Sequence, residues 1–379
     1  MKGLRIFLRA EEPLILSDGK TDGGVLAGQD AISGNKFLGA FANIFSYLHQ
    51  NEDVFDDPDF RAIFLDGSVS FGCATLEVNG QKTLAMPLCL YGHEEKDHLV
   101  VQNGLLQEKA PQAKELEGYL EAANRTVSNV QFIQTMHLCT QQGNGRNRVS
   151  GYEAVQDGTD FVAEFLVEEA FEAKLKDLLT RFEKISIGGS RSSGYGNIKI
   201  LQIDEFAVQE TVKVEKGRHT FYLTSPFLPE KSWQSPMEGL LEILNTHLGS
   251  VTLEAEQTFV ELIRAEGFNA FWGKPRCTRS GLAAGSVITV QVGQGGSLPL
   301  TIGLSRQEGY GRYLVDLPLL SEKTFTLNYD PYGYLRDGLT EHSYDVVALL
   351  SGDPAFDGIE MSKKKKMHYF TLGASFAIN

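Results

Sequence analysis

Cysteine is scarce and unpaired in this chain. Cys73, Cys89, Cys139 and Cys277 lie far apart, with no Cys-x-x-Cys spacing. That spacing argues against a zinc site and a disulfide framework, and it fits a reducing cytoplasm. Long hydrophobic runs are also missing. Stretches such as Leu84 to Leu90 fall far below the roughly 20 residues of a spanning helix. The start, Met1-Lys2-Gly3-Leu4-Arg5, enters an alternating strand pattern and not the apolar core of a signal peptide.

Positive charge is in deficit. Against 49 acidic residues stand 35 lysines and arginines, a net charge of −14. Proteins that coat nucleic acid without regard to sequence neutralise phosphates, so this balance excludes that class. A local basic groove on an otherwise acidic surface stays open. With 42% hydrophobic residues the chain has ample material for a core. At 379 residues, against about 100–200 per domain, it predicts two domains.

Comparing the chain with itself gives its strongest signal. Ile187-Gly-Gly-Ser-Arg191-Ser-Ser-Gly194-Tyr195-Gly196-Asn-Ile198 recurs as Ile302-Gly-Leu-Ser-Arg306-Gln-Glu-Gly309-Tyr310-Gly311-Arg312-Tyr313. The copies are 115 residues apart and identical at seven of twelve positions. Each follows an apolar strand and leads into an alternating or β-branched run. Glycines permit positive φ and close approach to a ligand. Consecutive free N–H groups cup an anion, arginine supplies a fork for phosphate, and tyrosine offers a face for an unpaired base. The plainer alternative is a tight glycine turn whose tyrosine only packs. Neither copy is a Walker loop, since no Gly-Lys-Ser/Thr follows, and neither opens a helix as a dinucleotide fingerprint does. No cofactor or metal is expected.

The strand Leu4–Leu8 places Arg5 and Phe7 opposite Leu4, Ile6 and Leu8. After a polar loop, Ser33 or Asn35 caps a helix with the stripe Phe37, Phe41, Ile44, Phe45 and Leu48. A helix start behind a Ser-Gly turn is an anion site, and Lys36 there reads as facing phosphate or as a solvated first-turn lysine. Asn79-Gly80 turns a hairpin. Residues 92–124 read as a polar insertion, helix-prone over 104–123. A basic loop carries Arg146 and Arg148. Thr159–Val167 is a strand, followed by the helix Glu168–Leu179. Residues 205–217 read as a linker. The second half restarts at Arg218–Leu223, with a helix over Met237–Leu248, a strand at Val260–Arg264, a basic loop carrying Lys274 and Arg276, and a strand at Ser286–Val292. A tail from Pro318 carries four consecutive lysines, 363–366.

These residues resemble the RAMP superfamily of CRISPR-associated proteins. Both Ile-Gly-x-Ser-Arg-x-x-Gly-Tyr-Gly loops are similar to the glycine-rich loop of that superfamily. Ile32-Ser-Gly-Asn-Lys36-Phe-Leu-Gly-Ala40 is similar to its Pro-Gly-Ser-Ser-Leu-Arg-Gly helix start, with Ser33 where proline is usual. Arg146-Asn-Arg148-Val-Ser-Gly151 resembles its Asp-Arg-x-Thr-Gly segment. Gly267 to Arg276, leading to Ala284-Gly285-Ser286-Val287, looks like the second half of the Cas-five-like, Csx-ten type subunit of type III-D effectors. The resemblance covers roughly residues 1–317.

It implies an α+β fold of two tandem ferredoxin-like (RRM-like) RAMP domains, 1–204 (with an insertion about 92–150) and 218–317, then an extension over 318–379. It implies a non-catalytic subunit that holds the 5′ repeat-derived handle of a guide RNA. The partners would be the large polymerase-like subunit and the backbone RAMP subunits, with target RNA met indirectly. The expected RNA contacts are Lys36, Arg146, Arg148, Gly188, Gly189, Arg191, Gly194, Tyr195, Gly196, Lys274, Arg276, Arg306, Gly309, Tyr310, Gly311 and Arg312. Two enzymes within the superfamily are the alternatives. Guide-processing members use histidine, but none of His49, His93, His98, His137, His219, His247, His342 and His368 lies in a glycine loop or at the Lys36 helix start. Backbone members cut target RNA with a loop aspartate, for which Asp18 and Asp22 are the candidates; both also suit ordinary turns.

Overall fold

The computed structural model describes residues 1–17, 21–22, 25–49, 53–95, 98–107, 113–140, 147–269 and 274–330. The fold is α+β and mostly strand.

The first unit runs β1 (Lys2–Ala10), α1 (Gly34–Leu48), β2 (Val69–Val78), β3 (Asp160–Val167), α2 (Glu169–Thr180) and β4 (Asn197–Phe206). Its strands lie in the order β4-β1-β3-β2, each pair antiparallel. Leu4, Ile6 and Leu8 alternate inward along β1, as period-two patterning requires. They meet Phe37, Phe41 and Phe45 of α1 and Leu175, Leu178 and Leu179 of α2 in one apolar cluster. Aromatic rings dominate it: Phe71 stands 5.0 Å from Phe165, edge to face, and 5.9 Å from Phe64, stacked. Leu48, expected in the stripe, is largely exposed, because the helix ends there and Phe45 takes the last inward position.

The second unit repeats the order with β5 (Gly217–Leu223), α3 (Pro236–Leu248), β6 (Val251–Leu253), β7 (Val287–Val292) and β8 (Tyr313–Val315). The sheet is β8-β5-β7-β6, again antiparallel throughout. Where the first unit has α2, this one has the strand Gly296–Pro299. That strand pairs with Thr211–Val214, so the expected linker is in part a strand of the second unit.

Between its second and third strands each unit extends a β-ribbon. In the first, Phe132–Thr140 pairs with Asn147–Val155. In the second, Leu262–Ala265 pairs with Arg279–Leu282, and Phe268–Asn269 with Lys274–Pro275.

The remainder of the insertion departs from expectation. Among the described residues of 104–123, only Gly104–Leu106 forms a helical turn, and Tyr119–Glu121 is a strand. Leu120 and Val127 alternate into a core with Leu99, Val101 and Leu327, and Gly118 takes φ +106, so packing overrides the helix-forming composition. Strands from 84–128 form a seven-stranded sheet that also contains Thr324–Tyr329, from beyond Pro318. This sheet packs on the face of the second unit away from α3. Tyr222 and Val287 of that unit are buried in its apolar cluster, and the Tyr222 hydroxyl donates to the Ala85 carbonyl at 2.6 Å. Among the described residues no helix is long and apolar enough to cross a membrane.

Candidate nucleic-acid interface

The sequence repeat is also a repeat of conformation. Ser190 (φ 53, ψ 33) and Ser305 (φ 58, ψ 36) both sit in the left-handed region. Each starts one helical turn that ends at a left-handed glycine, Gly194 or Gly309. The arginine of each copy closes its own loop: Arg191 Nε donates to the Gly188 carbonyl at 3.1 Å, and Arg306 Nε to that of Gly303 at 2.8 Å. Left-handed φ is unfavourable for serine, so its retention in both copies marks a shape held by its surroundings. Alternating left- and right-handed residues turn N–H groups inward as an anion cup.

The support beneath each loop repeats as well. Gly196 N–H donates to the Pro13 carbonyl at 3.0 Å, and Gly311 N–H to that of Pro226 at 2.8 Å. Gly189 N–H reaches the Ile15 carbonyl, as Leu304 N–H reaches that of Leu228. Pro13 and Pro226 each follow the first strand of their unit, a pairing that sequence reasoning missed and that the shared strand–proline order signals.

In the first unit the loop faces a cleft of about 550 Å³. Asn35, Lys36, Gly39 and Asn43 line it from α1, and Gly188, Gly189 and Arg191 from the loop. Among the described residues, none of those lining it is acidic. The start of α1 strengthens this bias. Its first turn holds no acid, and Ser33, at the capping position, makes no cap bond; its hydroxyl donates to Asn35 Oδ1 at 2.6 Å. Uncapped N–H groups and the positive end of the helix dipole favour an anion.

Lys36, Gly188, Gly189 and Arg191 are thus brought together, and Asn35, Gly39 and Asn43 join them unforeseen. Tyr195 is a correction. It is buried against Ile15 and Ala154, with its hydroxyl 3.2 Å from Thr135 Oγ1 of the ribbon, so it packs and offers no stacking face. Gly194 and Gly196 set the turn.

The second loop is placed quite differently, against β2 of the first unit. Ser70 Oγ donates to the Arg306 carbonyl at 2.6 Å. Arg312 is the second correction. Its Nη1 donates to the Glu164 carbonyl at 2.8 Å and its Nη2 to Ser70 at 3.2 Å, while Nε is sealed without a partner. Burial pushes its pKa down, and no RNA phosphate reaches it. Gly72 makes this possible, since a Cβ there would stand 2.7 Å from Arg312 Nη1. Tyr310 is partly enclosed; burial first, then Glu308, pushes its phenol up to about 12. Arg276 pairs with Glu308 at 2.6 Å, Arg306 with Glu230 at 3.2 Å, and Lys274 is exposed. Gly309 and Gly311 press on backbone, of Phe71 and Ile302 respectively. Arg146 and Asp18 lie outside the described residues. The backbone of Arg148 lies in the long ribbon, opposite Cys139, and that of Asp22 in a two-residue strand opposite Val25.

Two outcomes follow locally. An added methyl at Gly39 meets nothing within 4 Å. Gly39→Ala is therefore expected to raise stability by about 0.5–1 kcal/mol through helix propensity, while crowding the cleft and weakening RNA binding. Parallel thermal melts and RNA titrations check it; a loss of stability would show that α1 is strained at that point. The second concerns acid. Burial raises the Glu164 carboxyl, but Lys82, Arg5 (2.9 Å away) and Arg312 outweigh it and hold it below the ordinary 4.5. A depressed folded pKa stabilises above the unfolded value, and that stability is lost as pH falls through the folded one. Urea midpoints of Glu164→Gln should therefore fall less steeply than wild type below about pH 4.5. Identical acid limbs would remove Glu164 as the cause.

No family model and no curated protein matches the chain. Among solved structures, it is similar to a chain of the type III-B Cmr-beta complex bound to cognate target RNA and AMPPnP. There the identity is 12% over 75% of this chain and 86% of that one, with a TM-score of 0.46. A chain of the Csm3-Csm4 subcomplex of the type III-A CRISPR-Cas interference complex matches at 11%, over 80% of this chain and all of that one, with a TM-score of 0.37. Oligomeric Cmr4 from Pyrococcus furiosus matches at 14% identity, over 54% and 99%, with a TM-score of 0.28. At TM-scores this low, any assignment rests on the chain's own residues.

Proposed function

We propose that this chain is a non-catalytic RNA-binding subunit of a type III CRISPR effector complex, built from two tandem ferredoxin-like RAMP units. It holds the 5′ repeat-derived handle of the guide RNA beside the large polymerase-like subunit and the backbone subunits, in the cytoplasm. The observation that carries the reading is the cleft where the start of α1, with Lys36 and no side-chain cap, faces the first glycine loop, with Arg191. A single strand needs phosphate cups and cationic forks in fixed register, and this cleft supplies both. The exposed ribbon lysine Lys274 offers a further cation, and the sequence expects Arg146 and Arg148 to add two more.

The net charge of −14 predicts weak, salt-sensitive binding of random RNA by the isolated chain. Co-expression with partner subunits tests the reading. Guide RNA should co-purify with the assembled complex, and the purified chain should leave labelled RNA intact. Cleavage abolished by Asp18→Ala or Asp22→Ala would replace this reading with that of a target-cutting backbone subunit.

A further inference from the structure

The two glycine loops share one shape, yet every feature that opens the first is closed in the second. The helix paired with the second loop, α3, begins with Pro236 and a complete capping box. Ser235 Oγ accepts from Glu238 N–H, and Glu238 Oε2 accepts from Ser235 N–H, both at 3.3 Å. Its N-terminal donors are satisfied and an acid already occupies the dipole. The gap beside it is about 130 Å³ and includes Glu230 and Glu242. Arg306 is held by Glu230.

The outer faces of the loops differ in the same way. A Cβ on Gly194 would meet nothing within 4 Å. Its counterpart on Gly309 would stand 2.3 Å from the Phe71 carbonyl and 2.8 Å from Gly72 Cα. The second loop therefore spends on β2 the surface that the first leaves open. It also reaches α1, for a Cβ on Gly34 would lie 2.2 Å from the Glu308 carbonyl and 1.8 Å from that of Phe71. The first turn of α1, which has no cap bond of its own, sits between β2 and the second loop on one side and the cleft on the other.

We infer that the second glycine loop is no second grip on RNA but the positioning element of the first site. It clamps the opening turn of α1 so that Asn35 and Lys36 face Gly188 and Arg191. The nature of the ligand rests on the RNA reading above; the clamp does not. Only the opening turn depends on it, because Phe37, Phe41 and Phe45 anchor the rest of the helix in the core. Loosening the loop should thus disturb the cleft without unfolding the unit. Arg312 is the main fastener, joining Tyr313 of β8 to Ser70 and Glu164 across the boundary between units.

The full chain tests this with two readouts: hydrogen exchange of α1, and titration with a labelled oligouridylate at several salt concentrations. The variants are Arg312→Met, the milder Ser70→Ala in case the first fails to fold, Arg306→Ala, and Lys36→Ala. Arg312→Met and Ser70→Ala should speed exchange at residues 38–40, whose N–H groups bond to the carbonyls of the opening turn, and leave 42–48 protected. They should weaken oligouridylate binding by about tenfold, a size typical of coupling between linked elements. Arg306→Ala should leave the salt dependence unchanged, whereas an arginine on phosphate would lower the slope by about 0.7 on a single strand. A lowered slope for Arg306→Ala would make the second loop a grip and overturn the inference. Wild-type exchange and affinity in both Arg312→Met and Ser70→Ala would overturn the clamp. Faster exchange with oligouridylate binding untouched by every variant, Lys36→Ala included, would keep the clamp and reject the RNA reading.

Discussion

Gly34→Ala is expected to destabilise the protein by about 3 kcal/mol, the upper end for overpacking, although alanine is the better helix former by about 1 kcal/mol. The added methyl would stand 1.8 Å from the Phe71 carbonyl and 2.2 Å from that of Glu308. Both obstacles are backbone and neither can rotate away. The helix cannot retreat either. Just before it, Ile32 exchanges two hydrogen bonds with Ala74 of β2, at 3.0 and 2.8 Å, and just after its start Phe37 is locked in the aromatic core. The variant must lift α1 off β2 or push out the second loop, and either breaks the joint between units. Urea unfolding followed by far-ultraviolet dichroism measures the loss, with Gly39→Ala as the control of opposite sign. A change below about 0.5 kcal/mol, the range of an ordinary surface site, would mean that α1 and β2 are not in the contact described.

The second large effect concerns the ligand. On the RNA-binding reading proposed above, Lys36→Ala combined with Arg191→Ala should weaken the hold of the assembled complex on repeat-derived guide RNA by about a hundredfold. Two charge-assisted contacts, worth roughly 1.5–3 kcal/mol each, account for that size. The slope of log affinity against log salt should fall by about 1.4, two phosphates at ~0.7 each on a single strand. Arg191 is exposed and its bond to the Gly188 carbonyl is local to the loop, so the far-ultraviolet dichroism of the double variant should keep the wild-type shape. Titration of guide RNA at three or more salt concentrations separates the two quantities. Unchanged affinity and assembly in the double variant would reduce the cleft to a groove between a helix and a turn.

Local physics was legible before any fold was known. The period-two burial of Leu4, Ile6 and Leu8, the helices starting near Ser33 and Pro236, and the Asn79-Gly80 turn with φ of 54 and 73 all follow from side-chain periodicity and backbone preference. So does the recurrence of Ser-Arg-x-x-Gly-Tyr-Gly, because a loop that needs left-handed residues at two set positions keeps its glycines wherever it is copied. The reading of 104–123 as helix failed for the converse reason. Its polar, helix-forming composition is a weak local preference, and the sheet formed with Thr324–Tyr329, some two hundred residues away, overrides it.

Which of two like loops stays open was not legible, since they differ little over twelve residues. The sequence by itself determined the turn, its arginine and its glycines. Only the tertiary structure decided their use. In the first copy the loop looks across a cleft to Lys36. In the second, Arg312, which reads as one more cation for RNA, is buried on the carbonyl of Glu164. The physical reason is that solvent access belongs to surroundings assembled from distant segments. β2 and the start of α1 supply the surface on which the second loop is spent, and no pattern inside the loop records that they will be there.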